Sequence, residues 1–548
     1  MDIHDKLQTL DFVVIVAYVV TLIAIGMWVS FRRRGADDLF LGGRSQRWRV
    51  VGLSIFGTNV NPSFLISSCS VAYASGFAAA NFEWLAWWLM MLLAMLFVPY
   101  YLQTRVSTMP EFILRRFGRG AHTFLSYYAL FTTIVSWLGL VLYTGGLLFS
   151  QIMGWPLWLS LIVLMAIGTS FTIIGGLAAV MITDAFQTVL MIAGAAALTA
   201  IGLYKVGGVT GLVAQVPESY WILLRSGPKA EYPWHAMLLG YGVAGIWFWC
   251  SDQTIVQRVL GAKDLRHAQL GTVFAVFLKI LPPFLFLLPG ILCFVLHPEL
   301  DDPDKAFATM IVHHLPTGMV GLIVAVLIAA LISTIDSGLN SFSTVFTLDI
   351  YKRSLRPGAS PREVKFVGRM GTLLAATLAV GVALTMANFD RGLFDMIQSV
   401  IGFIAPPVSA VFLIGVLWRR ATSRAALLTL IVGSVVSIAV GFCHLNEFAG
   451  AEFSRWVGAH VSEPAGEYLN LQIGHLVWDH FLMVSFYLFA VICSFMVVAS
   501  LLTRNAPSEE QLPSLRDTYT SQASNPKLIW ALWGVLAICM GAIYLIFN

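Results

Sequence analysis

Long apolar windows recur along the whole chain and are separated by short polar loops. Because an α-helix needs about 20 apolar residues to cross the hydrocarbon of a bilayer, each window predicts one transmembrane helix. The windows lie near residues 11–31, 50–76, 82–104, 122–150, 155–174, 177–203, 236–257, 270–297, 318–351, 366–388, 393–418, 424–443, 480–503 and 527–547. The pattern predicts an all-α integral membrane protein with about fourteen transmembrane helices.

Lysine and arginine are concentrated in alternate loops. Basic clusters follow the first, third, seventh, ninth and eleventh windows, and they include Arg116 and Arg258. The intervening loop 297–305 carries four acidic residues instead. Since cytoplasmic loops carry the excess of basic residues in multi-pass proteins, simple alternation of the windows places both termini on the extracellular or periplasmic side.

Composition excludes several classes of protein. The chain is 58% hydrophobic and 11% charged, with a net charge of +4, which is typical of a polytopic membrane protein and not of a soluble domain. Basic residues are scattered among the loops, so we expect no nucleic-acid partner. We recognise no catalytic motif in a suitable context and expect no enzyme. The spacing of the six cysteines predicts neither a metal site nor a disulfide framework.

A polar stripe interrupts the ninth window. In a helix, Ser333, Asp336, Ser337, Asn340 and Ser341 share one face, at i, i+3, i+4, i+7 and i+8 spacing. Lipid does not satisfy such a stripe, so it must face other helices or a wet cavity. Two interpretations remain open. The stripe is a packing face of small residues, or it is an ion site, since hydroxyls, freed carbonyls and a carboxylate supply the oxygens that a small hard cation prefers.

Five ionisable residues fall inside predicted helices: Glu83, Asp184, Asp252, Lys279 and Asp336. Each costs about 2.5–3.5 kcal/mol at the centre of a membrane helix, so each is expected to be functional and paired. The alternative for Glu83, Asp252 and Lys279 is that the side chain reaches the interface. For the other two it is a purely structural pair.

Helix-breaking residues divide the second and seventh windows. Pro62 follows Asn59 and Asn61 in the second window, and three glycines precede Ser251 in the seventh. A proline frees a helix carbonyl to bind an ion or a solute, although a simple kink is the alternative. Paired interruptions are typical of inverted-repeat transporters with a binding site at the midplane. Gln398 in the eleventh window is a further polar group, suited to a solute hydroxyl or to another helix.

Seven motifs can be compared with those of known proteins. They are DDLFLGGR (37–44), STMPEFILRRFG (107–118), GGLAAVMITDAFQTV (175–189), WFWCSDQTIVQRVLGAK (247–263), LKILPPFLFLLPG (278–290), ALISTIDSGLNSFSTVFTLDIYKR (330–353) and DMIQSVIGFIAPPVSAVFLIGVLW (395–418). Together the chain resembles the sodium:solute symporter family, and within it the sodium/glucose cotransporter branch, over about residues 8–440. The motifs are specific for the family and much less specific for the solute.

The resemblance implies a LeuT-like core of two inverted five-helix repeats. The first repeat would cover residues 50–203 and the second residues 236–418. Residues 1–49 would form an extra helix and a cytoplasmic loop, and residues 419–548 would form accessory helices.

The resemblance also implies a sodium site between the broken second helix and the ninth helix. By position its ligands would be the carbonyls of Gly57, Val60 and Ala330 and the hydroxyls of Ser333 and Thr334. A possible second sodium ion would lie near Asp184, with Asp336 and Ser337. Because an acid at position 336 departs from the sugar transporters of the family, the number of ions stays open.

Seven positions correspond to the sugar pocket of the branch: Asn59, Phe64, Glu83, Phe248, Trp249, Lys279 and Gln398. Phe64 replaces a polar residue and Phe248 replaces a tyrosine. A solute hydroxyl left unpaired at such a position costs about 1–3 kcal/mol. The resemblance therefore favours a sugar with fewer or shifted hydroxyls, a polyol or another neutral polar solute over glucose itself.

The combined expectation is a sodium-coupled symporter that imports a sugar-like solute by alternating access, with Na⁺ as the coupling ion. One alternative is a sodium symporter for an organic acid, for which Lys279 is the candidate cation, or for a nucleoside-like solute. Another is a sensor on a transporter scaffold, for which the loop 504–526 is too short. We expect the lipid bilayer and a small solute as partners, with no obligate protein partner. The lack of a signal-peptide pattern fits a bacterial inner membrane.

Overall fold

The computed structural model describes residues 7–32, 40–227, 230–387, 393–445, 455, 458–464, 480–503 and 526–547. These residues are almost entirely helical, and no β-strand occurs among them. A helix satisfies its own backbone hydrogen bonds, which hydrocarbon requires of a membrane-spanning segment. The prediction of an all-α fold is confirmed.

The described residues form twenty-two α-helices, with short π-helical and 3₁₀ segments beside them. The α-helices are α1 (Thr9–Arg32), α2 (Trp48–Asn59), α3 (Pro62–Ser75), α4 (Asn81–Trp84), α5 (Ala86–Leu92), α6 (Val98–Gln103), α7 (Met109–Phe117), α8 (Arg119–Thr132), α9 (Leu140–Met153), α10 (Leu157–Lys205), α11 (Gly208–Gln215), α12 (Trp234–Gly245), α13 (Gln253–Leu260), α14 (Leu265–Leu278), α15 (Leu288–Leu296), α16 (Ala306–His314), α17 (Met319–Val345), α18 (Pro361–Met386), α19 (Leu393–Leu417), α20 (Ser423–Leu445), α21 (Phe481–Leu502) and α22 (Pro526–Ile546). The π-helical segments are Leu93–Phe97, Thr133–Gly139, Ile246–Ser251, Pro283–Leu287 and Phe346–Leu355.

Each of the fourteen apolar windows is mostly helical in its described part. Among the described residues, ten helical runs are long and apolar enough to cross a membrane, and Thr9–Leu22 and Leu157–Ser170 are shorter apolar helices. The second and seventh windows are each divided into two short helices, α2 with α3 and α12 with α13. The prediction of a multi-pass membrane protein is confirmed.

The break between α2 and α3 redirects backbone hydrogen bonds. In a continuous helix the carbonyls of Gly57 and Val60 would accept from the amides of Asn61 and Phe64. Here the Asn61 amide donates to the Asn59 carbonyl at 3.1 Å, and the Phe64 amide donates to Asn61 Oδ1 at 2.9 Å. The two carbonyls therefore lose their usual donors and are available for another partner.

The break between α12 and α13 lies where Ser251 ends a π-helical segment. Asp252 is extended there, with φ −71° and ψ 131°, and its carboxylate accepts from the Thr254 amide at 2.9 Å. An aspartate at this position caps a helix N-terminus. The predicted interruption is confirmed, and the buried Asp252 is paired with backbone N–H groups.

The fifth and sixth windows run on as one helix, α10, where the sequence predicts two. Thr172 donates to Asp336 at 3.1 Å, and Asp184 accepts from Ser333. Both contacts join this long helix to the polar stripe of the ninth window.

Helix α17 lies at the centre of the molecule. In the span that begins with it, Met319–Leu355, 88% of an apolar 18-residue stretch is buried, against 17% of the corresponding stretch in the last span. It contacts α1, α2, α3, α9, α10, α13 and α18. Small residues permit this close packing, since a Cβ at Gly338 would meet Leu138 at 2.7 Å. The polar stripe of the ninth window therefore faces protein on all sides.

Gly240 predicts a measurable packing defect. A Cβ atom at this position in α12 would overlap the backbone carbonyl of Leu482 in α21, which is not free to move aside. Gly240→Ala is expected to lower the free energy of unfolding by about 1–3 kcal/mol, as overpacking does. Gly534→Ala is the control, because a Cβ there meets nothing within 4 Å. Thermal unfolding of the two variants tests the close approach, and equal midpoints would contradict it.

Candidate functional site

The two broken helices border a central cavity. Six of the seven residues predicted for the solute line it, namely Asn59, Phe64, Glu83, Phe248, Trp249 and Gln398. Lys279, the seventh, lies behind this wall and forms an ion pair with Glu83. The fold thus brings Lys279 into contact with Asn59, which lies 220 positions earlier in the chain.

The polar side of the cavity is built around Lys279. Its ammonium donates to Asn59 Oδ1 at 2.5 Å and lies 4.9 Å from the centre of the Trp249 ring. It also pairs with the Glu83 carboxylate, and both side chains are 3% exposed. A buried cation needs such compensation. Because Glu83 neutralises Lys279, the pair adds no net charge to the cavity.

Aromatic rings form much of the cavity wall. Phe248 stacks on Trp137, with ring centres 5.4 Å apart and planes at 21°. It also makes an edge contact with Trp249 at 4.8 Å. Tyr241 accepts from Trp249 Nε1 at 3.5 Å and packs its ring against Phe82. Flat apolar faces beside a few fixed polar groups are typical of a site for a small organic molecule.

Sequence reasoning missed several residues that line the cavity: Ser67, Phe82, Ser136, Trp137, Tyr241 and Trp247. They lie in apolar windows, where an aromatic or a serine is ordinary, so no local signal distinguishes them. The sequence did draw attention to Asn61, because it directly precedes Pro62, but this residue was interpreted only as part of the helix break. The structure places it on the cavity wall as well.

The residues predicted for the first sodium ion lie on α2, its break and α17. Ser333 and Thr334 are buried. Ser333 donates its hydroxyl proton to Asp184, and Thr334 donates its own to the Ala330 carbonyl at 3.0 Å. Both hydroxyl oxygens therefore keep lone pairs for a cation.

Gly57 fits against α10. A Cβ atom at this position would overlap the hydroxyl of Thr188 and would lie 3.4 Å from the Asp184 carbonyl. The Thr188 hydroxyl in turn donates to the Leu53 carbonyl at 3.1 Å. The broken helix is therefore held next to Asp184, the residue that also bonds Ser333.

The residues predicted for a second sodium ion form a denser network than expected. Asp184 accepts from Ser333 and, at 2.7 Å, from Ser54. Ser337 donates to the Ser333 carbonyl at 2.8 Å. The guanidinium of Arg258 contacts both groups, since it donates to Ser337 and lies 3.5 Å from Asp184.

Asp336 lies beside this network, but its carboxylate bonds a different partner from that of Asp184. Its carboxylate accepts from Thr172 at 3.1 Å, and its side chain is 5% exposed. Sequence reasoning did not assign Thr172, Ser54 or Arg258 to an ion site. A serine or threonine in an apolar window carries no distinguishing signal.

The interpretation of Arg116 and Arg258 as loop residues is wrong. They are 1% and 0% exposed, respectively. Arg116 donates to carbonyls at the end of α19, including Gly415 at 2.9 Å, and Arg258 lies between α10, α13 and α17. The donors of Arg116 all bond backbone carbonyls, and both terminal amino groups of Arg258 are bonded, whereas the Arg258 Nε is buried without a partner among the described residues. Such internal bonds are what allow a guanidinium to be buried. Neither residue therefore counts toward the orientation of the chain.

Comparisons with known proteins agree with this architecture. The model of the sodium:solute symporter family matches residues 39–433. The chain is 36% identical to sodium/glucose cotransporter 4 of Danio rerio over 470 residues, which are 79% of this chain and 71% of that protein. It is 33% identical to a sodium/mannose cotransporter of Bos taurus, covering 99% of this chain and 97% of that protein. It is also 33% identical to sodium/myo-inositol cotransporter 2 of Oryctolagus cuniculus, covering 95% and 81%.

A solved structure shares the fold. The substrate-bound, outward-open state of a Na⁺-coupled sialic acid symporter superposes with a TM-score of 0.76 at 21% identity, covering 91% of this chain and 99% of that one. The fold class predicted from the motifs is thereby confirmed. The chain is a membrane transporter and not an enzyme, and it belongs to the sodium:solute symporter family.

Proposed function

We propose that this transporter imports a sugar or a polyol by alternating access, driven by inward movement of sodium. The central cavity carries the proposal, because it combines aromatic faces with Asn59, Gln398 and a neutralised Lys279–Glu83 pair. The relatives described above support it, since their names give glucose, mannose and myo-inositol as solutes. Neutral solutes with several hydroxyls suit such a wall, whose polar groups supply both donors and acceptors.

Charge argues against a carboxylate solute. Lys279 was the candidate cation for an organic acid, but its ammonium is already paired with Glu83. A carboxylate would have to displace Glu83 and leave that acid buried without a partner, at a cost of about 3–5 kcal/mol. The organic-acid alternative is therefore less favoured than the neutral solute. A nucleoside-like solute stays an alternative, because aromatic faces also suit a base.

The proposed driving force is sufficient for accumulation. Each positive charge that moves inward gains about 2.3 kcal/mol per 100 mV of membrane potential. Since about 1.4 kcal/mol corresponds to a tenfold ratio, one ion sustains a gradient of tens-fold before its own concentration gradient is counted. We place this ion at the carbonyls of Gly57, Val60 and Ala330 and the hydroxyls of Ser333 and Thr334.

The remaining parts of the proposal concern topology. We propose that residues 50–203 and 236–418 form the two inverted repeats, with the flanking segments 1–49 and 419–548 as accessories. The basic residues in the loops that follow α17 and α19 still count toward the orientation of the chain. They support a cytoplasmic position of these loops and therefore a position of both termini outside the cell. A bacterial inner membrane is the proposed location.

Phe248 predicts a gain of affinity. Phe248→Tyr adds one hydroxyl to the cavity wall at nearly constant shape. A neutral hydrogen bond contributes about 0.5–1.5 kcal/mol, so the affinity for glucose is expected to rise about two- to tenfold. Phe248→Leu, which adds no hydroxyl, is the control. Sodium-dependent binding of glucose to the purified variants checks this, and equal affinities for Phe248→Tyr and the wild type would contradict the assignment of Phe248 to the solute.

Thermal stabilisation tests the solute class. The purified transporter is heated with single sugars, polyols, nucleosides and carboxylates, each in sodium or in potassium. A ligand that binds the folded state raises the unfolding midpoint. A rise with a sugar or polyol that requires sodium supports the proposal. A sodium-dependent rise with only a carboxylate or a nucleoside would keep the coupling and overturn the solute.

A further inference from the structure

Arg258 is a buried guanidinium next to the proposed sodium ligands. It lies on α13, directly after the second helix break, and is 0% exposed. One of its amino groups donates to the Thr254 carbonyl within its own helix, and the other donates to Ser337 Oγ and lies 3.5 Å from Asp184 Oδ2. Burying a charge in this position is costly. We therefore asked what the contacts of Arg258 do.

The partners of Arg258 both act on Ser333. Asp184 accepts the Ser333 hydroxyl proton, and Ser337 donates to the Ser333 backbone carbonyl at 2.8 Å. Arg258 therefore reaches this one residue along two paths, through a carboxylate and through a hydroxyl.

The direction of these hydrogen bonds matters for a cation. A hydroxyl has one proton and two lone pairs, and a cation binds only at the lone pairs. In the structure the Ser333 proton points to Asp184, so the lone pairs point elsewhere. Asp184 also accepts from Ser54 of α2 at 2.7 Å, which joins the two helices between which the ion would lie.

We propose that Arg258 is a positioning residue of the sodium site, which acts through Asp184 and Ser337 to orient the Ser333 hydroxyl. This inference rests on the sodium site of the proposed function. Groups that orient metal ligands from behind change metal affinity by about 10–100-fold when they are replaced. Arg258→Met is therefore expected to raise the half-saturating sodium concentration by a factor in this range, with the solute affinity at saturating sodium unchanged.

A double-mutant cycle separates positioning from general damage. If Arg258 acts through Asp184, the variant Asp184→Asn/Arg258→Met needs about as much sodium for half-saturation as Asp184→Asn alone, because coupled residues are not additive. The neutral pair also avoids an unpaired buried charge, so it serves as the readout if Arg258→Met does not fold. Fully additive shifts would overturn the inference.

Arg116 supplies the matched control. It is also a buried arginine, but its donors bond carbonyls at the end of α19, including Gly415 and Trp418. Arg116→Met is expected to lower stability and to leave the half-saturating sodium concentration unchanged. An equal shift in sodium for Arg116→Met and Arg258→Met would show a general effect of lost arginine and overturn the inference.

Ser333→Ala distinguishes the two levels of the proposal. If Ser333→Ala changes sodium dependence and Arg258→Met does not, the sodium site stands and the role of Arg258 falls. If Ser333→Ala leaves sodium dependence unchanged, the sodium site itself falls, and with it the inference.

Discussion

Lys279→Met is expected to abolish solute uptake and to lower the free energy of unfolding by about 3–5 kcal/mol. The substitution leaves the Glu83 carboxylate, 3% exposed, without its cation, and breaking a buried pair from one side carries this cost. It also releases Asn59, whose amide oxygen accepts from Lys279 at 2.5 Å. Thermal unfolding and uptake into proteoliposomes measure the two effects.

The neutral pair Glu83→Gln/Lys279→Met separates stability from transport. Replacing both charges removes the unpaired carboxylate, so most of the lost stability is expected to return. Uptake is expected to stay lost, because Asn59 no longer has the ammonium that positions its side chain and the wall has lost its carboxylate. Lys205→Met, at the end of α10 away from the cavity, is the control and keeps uptake. Recovery of uptake in the neutral pair would show that Lys279 serves stability alone.

Ser333→Ala is expected to raise the half-saturating sodium concentration by about tenfold or more. A hydrogen bond to a charged group contributes about 1.5–3 kcal/mol, and we expect a similar value for the contact between a hydroxyl oxygen and the ion. Since about 1.4 kcal/mol corresponds to a factor of ten in affinity, losing this contact raises the sodium requirement about tenfold or more. Solute affinity at saturating sodium is expected to change little, since Ser333 does not line the cavity. Sodium titrations of solute uptake at fixed solute concentration provide the measurement.

Ser343→Ala is the matched control for this prediction. Ser343 lies on the same helix, α17, and is equally buried, but its hydroxyl donates to the Gly368 carbonyl at 2.7 Å. Its hydroxyl proton is therefore directed to α18 and not to Asp184. If both serine variants shift the sodium dependence equally, the effect belongs to the packing of α17 and the assignment of Ser333 is wrong.

Hydrophobic periodicity predicted the architecture because the bilayer constrains it. A span needs a fixed length of apolar residues and internal backbone hydrogen bonds, so a linear pattern is enough to locate helices. The break after Asn59 was also readable, since Pro62 removes a helix hydrogen bond. In the seventh window the three glycines lie inside α12 and the break follows at Asp252, so the sequence located this break only approximately. The continuity of α10 across the fifth and sixth windows was not readable, because a Gly-Gly pair is compatible with a loop as well as with a helix.

The network behind the sodium site was readable only in part. The charge of Asp184 in an apolar window indicated a partner, but the sequence did not identify Arg258, which lies 74 residues away. A basic residue near the end of a window satisfies the same pattern whether it points to solvent or into the protein. The side chain's direction depends on how α13 packs against α17, and that is a property of the fold.

Part of the cavity was predicted through the resemblance rather than from local pattern. Glu83 and Lys279 drew attention because a charge in a membrane is costly. Phe64 and Phe248 are ordinary residues for an apolar window. They were identified only because they differ from the residues at the same positions in the sugar pocket of the sodium/glucose cotransporter branch. Trp137 has no such correspondence and emerged only when its ring was found stacked on Phe248.

Uptake of a radiolabelled polyol or sugar into proteoliposomes of the purified protein tests the central claim most directly. Solutes are offered one at a time under an inward sodium gradient, and an inward potassium gradient is the comparison. The account predicts accumulation above the external concentration with sodium alone, steeper when the interior is negative. Equal uptake in both gradients, or accumulation of carboxylates without any sugar or polyol, would contradict it.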